Sequence, residues 1–181
     1  GRFGHQTAHP GKLADLKPFI DHSRQTVKSS SAELSLDYGR GLLAIDAPRA
    51  QGVSGFLKSA GLVETKDLAI TSDLELGHIV VVALDEEPLT ASSRMLLQVM
   101  SEEQTSGFTT EPVSANVKRI VSIGSDPWQV REFSGTVKFK RADATRLKVQ
   151  ALDFNGYPSA VIGGAHEIKL QPATLYYLIS R

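Results

Sequence analysis

From residue 34 onward, apolar and polar positions alternate in short runs, and turn-forming residues break the runs at close intervals. Leu34, Leu36 and Tyr38 alternate, Gly39-Arg40-Gly41 turns the chain, and Leu42-Leu43-Ala44-Ile45 returns it, which predicts a hairpin. The same period of two predicts strands over 52–57, 68–71, 78–84, 94–100, 115–123, 128–130, 135–139, 146–154, 160–162, 166–170 and 174–179. Asn155-Gly156 is the strongest local turn signal, because both residues tolerate the positive φ of a tight hairpin connection. The run from Ile79 to Leu84 is continuously apolar and predicts a central strand covered on both faces.

The first thirty residues read differently. Residues 1–12 are polar, with Pro10-Gly11 as punctuation, and predict a loosely held arm. Leu13, Leu16, Phe19, Ile20 and Val27 approximate helical spacing, which predicts one short helix with Pro18 near its first turn. Ser29-Ser30-Ser31 marks a hinge. Many short strands without intervening long helices exclude an alternating βαβ design. The expected fold is all-β: an antiparallel, jelly-roll-like β-sandwich over residues 31–181, with a short N-terminal helical arm over residues 1–30.

Composition narrows the partners. A chain of 181 residues can bury a core without a metal or disulfide to hold it. Lys plus Arg and Asp plus Glu stand at 20 each, so no global charge favours nucleic acid or an anionic membrane. The densest basic stretch, Lys138-Phe139-Lys140-Arg141, alternates like the solvent face of a strand. Zero cysteines exclude disulfides and thiolate chemistry but leave the compartment open, with a secreted or periplasmic setting among the options. No apolar run approaches the roughly 20 residues of a membrane-spanning helix, and Gly1 to His5 has no signal-peptide core. A leading glycine fits a processed chain, so an upstream signal or domain is compatible with it.

Catalytic signatures are missing. There is no Gly-x-Ser-x-Gly elbow, phosphate loop, His-Glu-x-x-His or dinucleotide fingerprint. Gly52-Val53-Ser54-Gly55 and Gly163-Gly164 read as turns or close backbone contacts. His5 and His9 have the spacing of two ligands on one helix face but lie in a Gly/Pro-containing arm without a third ligand. His78 and His166 read as surface positions of strands. Asp85-Glu86-Glu87-Pro88 and Glu102-Glu103 supply adjacent acids, but neighbours on a strand point to opposite faces, so a solvated turn is the reading for the first pair. No catalytic residue, metal ligand or cofactor is assigned. Aromatic residues are able to form a stacking platform for sugars, because a ring face matches the apolar face of a pyranose. Among Trp128, Tyr157, Tyr176 and Tyr177, the last two alternate on a strand and at least one should pack inward, which leaves Trp128 and Tyr157 as the candidate carbohydrate-binding residues.

Several segments carry a family resemblance: 35–52, 82–89 running on to Ser93-Arg94-Met95-Leu96-Leu97, Lys148 to Gly156, and the terminal Thr174-Leu175-Tyr176-Tyr177-Leu178-Ile179. Together they resemble C-terminal β-sandwich regions of bacterial glycoside-hydrolase-like proteins, over about residues 30–181. The resemblance implies a non-catalytic accessory domain that packs against an upstream catalytic domain, extends its cleft or contacts polysaccharide. The catalytic carboxylates of such proteins lie in a separate (β/α) barrel of ~250 residues, too large to fit here beside a sandwich. Two other readings compete: an independent carbohydrate-binding protein, with Trp128 and Tyr157 exposed on one concave surface, and a small hydrolase, with convergent buried carboxylates of raised pKa.

Overall fold

A computed structural model describes residues 15–172 and 174–181. The strands in chain order are β1 (Ile20–Asp21), β2 (Thr26–Lys28), β3 (Leu34–Asp37), β4 (Leu42–Ala47), β5 (Ala50–Gly55), β6 (Val63–Glu64), β7 (Leu68–Ser72) and β8 (Gly77–Ala83). They continue as β9 (Arg94–Met100), β10 (Glu103–Ser114), β11 (Val117–Val130), β12 (Gly135–Phe139), β13 (Lys148–Leu152), β14 (Pro158–Gly164), β15 (Ile168–Lys169) and β16 (Tyr176–Ser180). Helix is confined, among the described residues, to one α-turn at Leu57–Ala60 and two 3₁₀ turns, so the all-β expectation holds. Ten strands form one antiparallel sheet in the order β1-β2-β3-β4-β5-β8-β9-β16-β13-β14. Four more form a second sheet, β15-β12-β7-β6, and among the described residues β10 and β11 pair only with each other.

The core follows from period-two alternation locked in register. Val81 sits opposite Leu97, Leu97 opposite Tyr177, and Tyr177 opposite Ala151, a row of buried side chains across four strands. A parallel row carries Met95, Ile179 and Val149. Leu68, Ile70, Val137, Phe139 and Ile168 of the smaller sheet belong to the same hydrophobic cluster. Full burial of each such side chain favours folding by about 1.5–3 kcal/mol. Gln51 is the polar exception on the inner face of β5, and it is satisfied. Its carbonyl accepts from the Thr65 hydroxyl (2.7 Å) and the Asp67 N–H (2.9 Å), while its amide donates to the Asp67 carboxylate (2.6 Å).

Two expectations need correction. The helix expected over residues 13–27 does not form in its described part. A 3₁₀ turn spans Lys17–Phe19, and β1 and β2 then pair as a hairpin with Ile20 opposite Val27. Pro18 removes an amide donor from the helical ladder, whereas the Asp21 carboxylate accepts from the Ser23 N–H and hydroxyl and the Arg24 N–H, closing a turn instead. β3 then offers β2 a full set of ladder partners, and Ser29 to Ser31 lie in the connection between them. Residues 13 and 14, and the polar arm with His5 and His9, lie outside the described residues. The second correction concerns β8. Ile79 and Val81 are fully buried, but Val80 and Val82 on the opposite face are half-buried, because no second layer covers that side among the described residues.

That outward face is apolar over a wide area. The register places Leu36, Leu43, Ile45, Val80, Val82, Leu96 and Leu178 on it, with no Asp, Glu, Lys or Arg among the outward positions of β3, β4, β5, β8 and β9 between Leu34 and Met100 except at the strand end Arg94. The basic stretch at 138–141 divides as alternation requires. Phe139 is buried, Lys138 pairs with Glu167 (2.7 Å) and Lys140 with Glu64 (3.0 Å).

Candidate functional site

The long hairpin creates the site. β10 and β11 run for 12 and 14 residues, so the ribbon projects about 40 Å at roughly 3.3 Å per residue. Its polar β10 arm, rich in Thr and Ser and carrying Gly107 and Pro112, hides its strand character in the sequence. Pairing with β11 supplies the structure, with Phe108 opposite Ile123, Glu111 opposite Arg119 and a register shift beside Pro112. Arg119 and Glu111 also form an exposed ion pair (2.7 Å).

At the base of the ribbon lies an open groove of about 1050 Å³. One wall is the ribbon itself, with Trp128, Phe108 and Ile123. The other includes Phe154, from the connection between β13 and β14. Trp128 and Phe154 are both about two-thirds exposed (62% and 67%), so their rings are not held by a core and their faces are open to a ligand. The polar lining comes from the ribbon's two roots. Arg131 pairs with Glu102 through its side chain (2.6 Å) and donates its N–H to the Glu102 carbonyl (2.9 Å), which clamps the roots together.

Phe154 is aimed by its turn. The Asp153 carboxylate accepts the N–H of Asn155 and of Tyr157 (2.9 Å each), and the Gly156 N–H donates to the Asp153 carbonyl (3.0 Å). Gly156 adopts φ +84°, a conformation in which a Cβ is strained. The Asn-Gly hairpin predicted from sequence is therefore present, between β13 and β14. Of the two candidate carbohydrate-binding residues, Trp128 lines the groove and Tyr157 does not; Tyr157 is 69% exposed just beyond the turn. Phe154 was missed by sequence reasoning. It lay in a predicted strand, and the signal that marks it is its place immediately before Asn155-Gly156, where a hairpin turn leaves a large ring with nothing to pack on.

The remaining candidates have structural roles. Tyr177 is buried, and its hydroxyl oxygen accepts the Gln171 N–H (2.8 Å), while Tyr176 is half-buried on the outward face. His78 Nδ1 and the Ser54 hydroxyl lie 2.6 Å apart as a cross-strand pair, and His166 is exposed. Asp85 ties the β8–β9 connection by accepting the Ser93 N–H (2.9 Å) and hydroxyl (3.2 Å). The Ser92 hydroxyl foremost, then the Ser93 and Glu87 amides against the opposing effect of burial, hold its pKa down at about 2. Asp143 is held well below the usual carboxylate range by hydrogen bonds from Arg141 and then Arg181. Arg141 is almost fully buried and also donates to the carbonyls of Leu89 (2.7 Å) and Ser92 (2.8 Å), stitching the 141–146 segment to the β8–β9 connection. Every carboxylate with a displaced pKa among the described residues, Asp21, Asp73, Asp85, Asp143 and Glu167, is displaced downward. Among the described residues no three His, Cys, Asp or Glu side chains gather as a metal site, and no helix is long and apolar enough to cross a membrane. No family model, curated protein or solved structure matches this chain.

Proposed function

We propose that the chain is a non-catalytic β-sandwich accessory domain of a glycoside-hydrolase-like protein, contacting polysaccharide through the groove between Trp128 and Phe154. The observation that carries this reading is the pair of open aromatic faces in one concave surface, since stacking on a pyranose needs rings that are exposed and held apart from a core. Two further features support it. The ten-stranded and four-stranded sheets contribute to one hydrophobic cluster, as two layers of a sandwich would. A glycosidase acid needs a raised carboxyl pKa, whereas the displaced carboxylates here all move down, so the reading assigns hydrolysis to another domain.

The test is calorimetric titration of the protein with soluble polysaccharides, alongside Trp128→Ala and Phe154→Ala. Binding to at least one polysaccharide, lost on either substitution with an unchanged circular dichroism spectrum, is the expected result. Binding that survives both substitutions would remove the groove from the proposal.

Packing against a catalytic domain is the complementary part of the proposal, favoured by the wide apolar stretch of the large sheet's outward face over β3, β4, β5, β8 and β9, where Arg94 is the one charged position. A standard interface buries about 800 Å² per partner, and a ten-strand sheet at roughly 4.8 Å per strand spans enough width to supply it. Carrying Val82→Glu on the intact parent protein should separate the two domains in limited proteolysis. Unchanged protection would show that the face is not the docking surface.

A further inference from the structure

The groove's charge points to the kind of glycan it takes. Four ionised side chains line it: Glu102, Glu103, Glu132 and Arg131. Arg131 is already neutralised by Glu102 at 2.6 Å. Glu103 and Glu132 have no cationic partner within salt-bridge reach among the described residues, so the groove carries two uncompensated negative charges beside its aromatic rings. The chain as a whole has equal numbers of acidic and basic side chains, which makes this a local property rather than a consequence of net charge.

Resting on the polysaccharide-contact reading above, we infer that the groove selects glycans whose sugars carry free amines and disfavours those carrying carboxylates. The ring faces of Trp128 and Phe154 stack on any pyranose and supply affinity without discrimination. Discrimination comes from the carboxylates. A 2-amino sugar stacked on Trp128 brings its ammonium into the groove that Glu103 and Glu132 also line, where a charge-assisted hydrogen bond to a carboxylate favours it. A uronate in the same place sets like charges together and finds no free cation among the described lining residues, because Arg131 is engaged. Gln104 and Gln129, opposite one another across the ribbon, offer amides to neutral hydroxyls and do not alter this ranking.

The experiment compares three hexasaccharides by calorimetry at pH 6: glucosamine, neutral glucose and galacturonate oligomers. Glucosamine hexamer should bind about fivefold more tightly than the neutral one at low salt, an advantage that shrinks at ~0.5 M salt as exposed charges are screened. Galacturonate hexamer should bind more weakly than both. The double variant Glu103→Gln/Glu132→Gln should bring the glucosamine and glucose affinities together without changing the neutral one, and Trp128→Ala should abolish all binding. Galacturonate binding as tight as that of glucose, or a ranking unmoved in the double variant, overturns the inference and leaves polysaccharide contact standing. Failure of all three sugars, in a panel where other polysaccharides also fail, removes both.

Discussion

The body of the molecule and its long ribbon are built from the same antiparallel ladder and differ in what lies across from them. In β8 and β9 alternate side chains reach zero exposure inside the one hydrophobic cluster that also holds residues of the smaller sheet. In β10 and β11 no residue is buried, although Val113, Val117, Ile120, Val121 and Ile123 are as apolar as the core. Apolar character alone therefore does not make a core; a place in the shared cluster does. Apolar residues without such a place do not stabilise the fold by burial and stand free to meet something else.

Substitutions can break or sharpen this contrast. The largest effect is expected for Leu97→Ala, which removes the centre of the row Val81-Leu97-Tyr177-Ala151 and should lower unfolding stability by about 3 kcal/mol in urea titration. Ile123→Ala on the ribbon should change it by less than about 0.5 kcal/mol. Equal losses would show the ribbon to be packed. Arg141→Ala comes next, at about 2 kcal/mol, since two buried carbonyls lose a charged donor. Replacing residues 107–124 by Asn-Gly should leave the urea midpoint nearly unmoved, because among the described residues the excised strands pair only with each other and none of their side chains is buried; a large drop would mean that the ribbon belongs to the folding unit.

The smallest effect concerns acid. Asp85 has a folded-state pKa of about 2, below the roughly 3.9 of an unfolded aspartate, so its stabilisation is complete above pH ~4 and is lost as pH falls toward 2. Asp85→Asn should flatten that part of the stability profile and leave the slope near neutral pH unchanged. An identical acid profile in the variant would assign the transition to other carboxylates.

Legibility of the sequence follows the same division. Strands β7, β8, β9, β12 and β13 were readable, and Arg94–Met100 and Gly135–Phe139 matched to the residue, because burial on one face forces strict alternation. β10 was not readable, since an unburied strand places no demand on its side chains and Thr, Ser and Gly satisfy it, while its more apolar partner β11 was read in part, over 115–123 and 128–130. The segment after Asp15 misled for a related reason. Five apolar residues at near-helical spacing carry less weight than a proline, a turn-closing aspartate and a neighbouring strand with hydrogen bonds to share.

For the site, Trp128 could be singled out by type and setting, whereas its partner could not. Phe154 is 26 positions later and reaches the groove through a hairpin on strands that enter the large sheet beside β16. By itself the sequence determined the all-β class, the inward rows of the central strands, the Asn155-Gly156 turn and the want of a catalytic motif, because alternation and turn chemistry act between near neighbours. The tertiary structure alone decided that, among the described residues, one face of the large sheet is left open, that the ribbon projects, and that Trp128 and Phe154 line one groove with Glu103 and Glu132, which have no cationic partner among the described residues. Those outcomes depend on strand order and on which surfaces find a facing layer, and neither is written in the spacing of residues along the chain.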